Sequence, residues 1–94
     1  MWVKSQDEET LMDFSGFILF EGISQIRLQC RIEVKNNLNT AITGKSNGGG
    51  LYCLGIYETK ERALQILTKV QKTIEDYMPA NERQYDVVFE MPKE

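Results

Sequence analysis

The run from Gln25 to Lys35, QIRLQCRIEVK, constrains this chain more than any other stretch. Ile26, Leu28, Cys30, Ile32 and Val34 alternate without a break with Gln25, Arg27, Gln29, Arg31, Glu33 and Lys35. Successive strand side chains point to opposite faces, so this alternation predicts a β-strand with one dry face and one wet face. Ile and Val reinforce it, because branched side chains suit a pleated surface. Such a strand needs neighbours along its edges and a cover for its apolar face.

The rest of the chain supplies both. Residues 2–6 read as a short strand, and Leu11 to Glu21 as a second extended segment with Ser15-Gly16 marking a bulge. Thr40 to Thr43 predicts a short edge strand and Leu51 to Tyr57 a further strand, joined as a hairpin with the glycine-rich residues 44–50 at its tip. Ala63, Leu67, Val70, Ile74 and Tyr77 recur at helical spacing, which predicts a helix from Lys60 to Met78. Thr59 is its N-cap, Pro79 ends it, and at 1.5 Å per residue it is roughly 28 Å long. Tyr85, Val87, Phe89 and Met91 alternate in a last strand that stops at Pro92. The expectation is one α+β domain over residues 1–94. It comprises an antiparallel sheet of four to six strands, one long helix on one face, and a final short strand.

Ninety-four residues leave room for a single domain. A formal net charge of -3 argues against a nucleic-acid partner, which calls for a basic surface. No run approaches the ~18 apolar residues of a membrane span. The acidic Asp7-Glu8-Glu9 follows too soon after Met1 for a signal-peptide core, so the expected location is the cytoplasm, the host's if the chain is phage-encoded. There Cys30 and Cys53 are expected to be reduced, as two small buried side chains, with a disulfide as the alternative should their strands pair.

The chain contains no histidine, which removes Ser-His and Cys-His nucleophile pairs and most zinc sites. Gly44-Lys45-Ser46 lacks the upstream glycine of a phosphate loop, since Asn39 stands there, and glycines replace the helix that should follow. Asp7, Glu8 and Glu9 read as a solvated acidic turn, without the spacing of a calcium loop. No catalytic residue, metal ligand or cofactor is expected. The one polar constellation that suggests a ligand is Arg27 and Arg31 on a shared strand face. With Trp2 and Lys4 from a neighbouring strand, it would offer guanidinium and ring groups to a phosphate or carboxylate. Phe17, Phe20 and Tyr52 belong to an aromatic set larger than one thin core requires, and are candidates for an oligomer or partner interface.

Three segments carry a resemblance: MWVKSQD over residues 1–7, LGIYETKERAL over 54–64, and the closing Phe89-Glu90-Met91-Pro92. Together they resemble a group of small Firmicute proteins, mostly uncharacterised, carried on phages and mobile elements. Their pattern is MW[IV][RK]SQD, LGxYxTxERAL and a terminal xMP. The resemblance implies a phage or mobile-element setting and carries no catalytic residues. The middle, Phe14 to Gly50, is longer than the group leads one to expect, which makes it the place to look for an activity particular to this member. The expectation for function is therefore a non-enzymatic binding protein and homo-oligomer that counters host defence by sequestering an anionic, nucleotide-like immune signal. The alternative is a protein-interaction module that inhibits a host protein by direct binding.

Overall fold

A computed structural model describes residues 1–30, 32, 34, 39–77 and 88–94. Its longest strand, β2 (Leu11–Glu21), lies at the centre of the sheet. The run Phe14 to Phe20 does not alternate because the register slips between Phe14 and Gly16, a bulge at the expected Ser15-Gly16 position. One extra residue exchanges the two faces of a strand. Met12 and Phe14 before the bulge, and Phe17 and Leu19 after it, therefore all reach the same core.

β1 (Trp2–Lys4) pairs antiparallel with one side of β2, and β3 (Thr40–Ser46) with the other. β4 (Leu51–Tyr57) pairs with β3, and β5 (Val88–Glu90) lies parallel to β1, giving the order β4-β3-β2-β1-β5. The single parallel pair arises because the chain leaves β4 through the long helix α2 (Lys60–Tyr77) and returns at the far margin of the sheet. β3 runs on to Ser46 and lies inside the sheet, so the short edge strand expected at Thr40–Thr43 is instead a central one. Tyr85 and Val87 of the expected last strand, and Met78 of the expected helix, lie outside the described residues.

The N-terminus of α2 is capped by Thr59, whose Oγ1 accepts from the Arg62 N–H at 3.1 Å. Ala63 and Ile66 are buried in the main core with Val3, Phe14, Ile42, Leu54, Tyr57 and Met91. Each fully buried Leu or Ile there contributes about 2 kcal/mol. Gly44 lies directly beneath the Phe14 ring: a Cβ at this position would sit 2.6 Å from Phe14 Cδ1 and 2.9 Å from Leu54 Cδ1.

The strand expected at Gln25–Lys35 is not one. Residues Ile23–Gln29 form a short helix, α1, and Cys30, Ile32 and Val34 belong to no strand. Three physical causes outweigh the alternation. Gly22, at φ 93°, turns the chain out of β2 in a conformation that side chains with a Cβ resist. Gln, Arg and Leu are good helix formers. Ile23, Ile26 and Cys30 stand at +3 and +4 intervals, and Ile26 is completely buried. α1 packs on β2, β3 and β4. Ala41 and Thr43, also completely buried, alternate with Ile42 and Gly44 and so face away from α2. That second face is the one α1 covers.

The cysteines are bonded, not reduced as expected: Cys30, at the C-terminal end of α1, joins Cys53 of β4, with their Cα atoms 4.9 Å apart. Cys53 is directly opposite Thr43 and shares its face, so a helix laid over that face brings Cys30 onto Cys53. Thr43 Oγ1, beside it, has no hydrogen-bond partner among the described residues.

Candidate functional site

β4 is one margin of the sheet, and its outer edge is occupied by residues from both ends of the chain. The Gln6 N–H donates to Leu54 O at 2.7 Å. The Gln6 side chain then behaves as an additional strand residue. Its Oε1 accepts from the Ile56 N–H at 2.9 Å, and its Nε2 donates to Ile56 O at 3.2 Å and to Lys93 O at 2.8 Å. Gln6 follows β1 by only two residues, so this contact curls the sheet and draws β1 towards β4. Unpaired backbone groups along an open edge are a liability that proteins commonly cover.

The tail reinforces the seam. The Tyr57 hydroxyl donates to Pro92 O at 2.8 Å, and the Tyr57 ring lies over Gly55, where a Cβ would come 2.7 Å from the hydroxyl oxygen. Burial pushes the Tyr57 phenol well above its ordinary pKa. Arg62 donates from Nε and Nη2 to Glu94 O at 2.9 and 2.7 Å. Lys93 Nζ donates to Gln6 O at 2.9 Å and lies 3.3 Å from Glu8. The hydrogen bond from Lys93 holds the Glu8 carboxyl below its usual range. In the preceding turn the Ser5 hydroxyl donates to Asp7 and lowers that carboxyl too.

Beside this seam lies a cleft of about 760 Å³. Gln6, Ile56, Tyr57, Arg62 and Lys93 form the seam side of its lining, and Asn39 and Ile32 come from the middle of the chain. Glu58 and Thr59, before α2, and Glu94 in the tail complete it. A volume of 300–1,000 Å³ is the usual range of small-molecule sites, and a few polar groups among apolar walls is their usual chemistry. The cleft offers amide, hydroxyl and cationic donors beside two carboxylates. Among the described residues, no cluster of three His, Cys, Asp or Glu side chains is placed to hold a metal ion.

The ligand site expected from the sequence is not gathered on one strand face. Arg27 lies in α1, and Arg31 is outside the described residues. Trp2 and Lys4 share the outer face of β1, which lies on the far side of β2 from β3 and β4. Lys4 Nζ stands 3.6 Å from Glu8 and 4.0 Å from Glu90, so its charge is already met by carboxylates. Of the expected interface residues, Phe17 and Tyr52 share a face and both touch Phe14, which is 6.4 Å from the Phe17 ring centre and 6.1 Å from that of Tyr52. Phe20 is on the opposite face, the one under α1. Asn39, which composition marks as a turn residue, is buried, and its amide donates to Tyr57 O at 3.3 Å.

Gln6, Tyr57, Thr59 and Arg62 all belong to the terminal patterns quoted above, and the fold brings those three segments into contact. Comparison with family models, with curated proteins and with solved structures returns no match for this chain.

Proposed function

We propose that this chain is a non-enzymatic binding protein that takes a small, anionic, nucleotide-like molecule into the cleft beside β4. The observation that carries the reading is the cleft itself, whose size and lining suit such a ligand. Arg62 and Lys93 are the cations of its lining, beside Glu58 and Glu94, and Ile32, Ile56 and Tyr57 offer apolar surface to the ligand's ring. In the phage or mobile-element setting that the terminal patterns imply, the protein removes a host immune signal within the host cytoplasm. It acts as a homo-oligomer, without cofactor or metal. The absence of histidine in the chain supports sequestration over turnover.

Native mass spectrometry of the purified protein tests this. The expected result is a non-covalent mass increment that heat denaturation releases unchanged, with light scattering giving a mass above that of one chain. Recovery of an altered molecule would make the protein an enzyme. A second reading, a module that inhibits a host protein by direct contact, is favoured by the exposure of Leu51 and Tyr52 on β4, at 41% and 37%. It predicts that the cleft stays empty and that Tyr52→Ala abolishes partner capture.

A further inference from the structure

The disulfide ties the C-terminal end of α1 to β4, one of the strands on which that helix packs. α1 has seven residues, and an isolated helix shorter than about 12 residues is marginal in water. Its N-terminus has no side-chain cap, because Gly22 stands at that position. Its internal backbone bonds include Ile26 N–H to Gly22 O at 3.1 Å and Cys30 N–H to Ile26 O at 3.0 Å. Ile26 anchors it to the sheet and the Cys30–Cys53 bond fixes its far end. Two residues beyond Cys30, Ile32 lines the cleft. Whatever holds Cys30 in place therefore also holds that wall.

We propose that the Cys30–Cys53 bond is a redox latch on the cleft, closed when oxidised and released by two-electron reduction. The ligand consequence rests on the binding function proposed above. In the step, a small dithiol supplies two electrons and two protons. The S–S bond breaks, two thiols form, and the dithiol leaves as its own disulfide. Thr43 favours the released state. Its hydroxyl is buried without a partner in the bonded form, and Cys53 is its direct cross-strand neighbour. A thiol at Cys53 adds a weak S–H donor on the cross-strand neighbour of that hydroxyl, which the bonded sulfur lacks. Loss of the tether leaves Ile26 as the fully buried anchor of α1 among the described side chains, and the Ile32 wall moves with the released end.

Hydrogen exchange read by mass spectrometry tests the latch on the whole chain, as purified and after treatment with dithiothreitol, and in the Cys30→Ser/Cys53→Ser variant. Expected are no alkylatable thiols before reduction and two after it. Exchange over residues 23–30 should be at least tenfold faster in the reduced protein and in the variant, with residues 60–77 unchanged. Unchanged exchange in α1 overturns the proposal, as do two free thiols in the protein as purified. Simultaneous loss of protection in residues 60–77 also overturns it, since the bond would then be a staple for the whole fold. Equilibrium dialysis with ADP as probe reads the cleft. Binding that weakens tenfold on reduction supports the coupling, and equal binding in both states refutes it. ADP binding in neither state counts against the nucleotide reading of the cleft, while the exchange data alone decide the latch.

Discussion

Replacing Gln6 by Ala removes three hydrogen bonds at once, two of them to Ile56 and one to Lys93 O. A typical intramolecular hydrogen bond is worth about 1 kcal/mol net, and a donor left without a partner away from water costs about 1–3 kcal/mol. The Ile56 N–H is such a donor. The expected destabilisation is about 3 kcal/mol, a large share of the ~5–15 kcal/mol that holds a domain together. With a urea slope of about 1.5 kcal/mol/M, the midpoint should fall by about 2 M at unchanged slope. Gln6→Glu sharpens the test. It keeps an acceptor for the Ile56 N–H but turns a charged oxygen toward Ile56 O and Lys93 O, where wild type places a donor. Those carbonyls raise the folded-state pKa of the new carboxyl above its unfolded value of about 4.3. Relative to wild type at each pH, the variant should therefore be at its best below that value and lose stability as pH rises. A Gln6→Ala midpoint within about 0.5 kcal/mol of wild type would refute the seam. So would a Gln6→Glu variant no worse at pH 7 than at pH 4.

Gly44→Ala should cost about 1–3 kcal/mol by thermal or urea unfolding, since its methyl meets the Phe14 ring and Leu54 inside a filled core. Tyr57→Phe should cost about 1 kcal/mol through loss of the bond to Pro92 O and speed amide exchange at Lys93 and Glu94. In a spectrophotometric titration of wild type, Tyr57 should ionise well after an ordinary tyrosine. Because its folded pKa lies above the ordinary phenol value near 10, that contribution to stability is complete below pH 10 and is lost as pH rises further. Asp7→Asn should flatten the acid limb of the stability profile. The depressed Asp7 pKa gives stability that is present above the ordinary carboxyl value and lost as pH falls through it.

The sheet and the long helix were legible in the sequence because local chemistry and burial agree there. Leu11–Glu21, Leu51–Tyr57 and the helix capped by Thr59 fall where propensity and patterning put them, to within a residue. At Gln25–Lys35 two periodicities compete over the same letters. Ile26 and Cys30 satisfy alternation and also lie four apart on a helix, so apolar spacing alone cannot separate the two. Gly22 does separate them, through a positive φ that sequence leaves unspecified for a glycine. The misassigned strand carried the arginine site with it, and it also hid the disulfide, which forms between a helix end and a strand rather than between two strands.

The cleft was illegible for a different reason. Its lining comes from residues 6, 32, 39, 56–59, 62, 93 and 94, which the β1–β5 pairing and the Gln6 contact with β4 bring together from distant parts of the chain. The same contact gives the terminal patterns a physical meaning. Ser5 and Asp7 set the turn, Gln6 seals β4, Tyr57 and Arg62 hold the tail, and Thr59 caps the helix. Their polar groups are largely consumed by bonds within the protein, so these residues specify how the seam along β4 is closed rather than what the cleft takes up. On the binding function proposed above, ligand discrimination falls to the wall outside these segments. That wall is Ile32 and Asn39, from the long middle of the chain, held in place by Cys30 on one side and by the bond from Asn39 to Tyr57 on the other. Substituting Ile32 should therefore change which ligand binds with little effect on the unfolding midpoint, whereas substituting Gln6 should change the midpoint first.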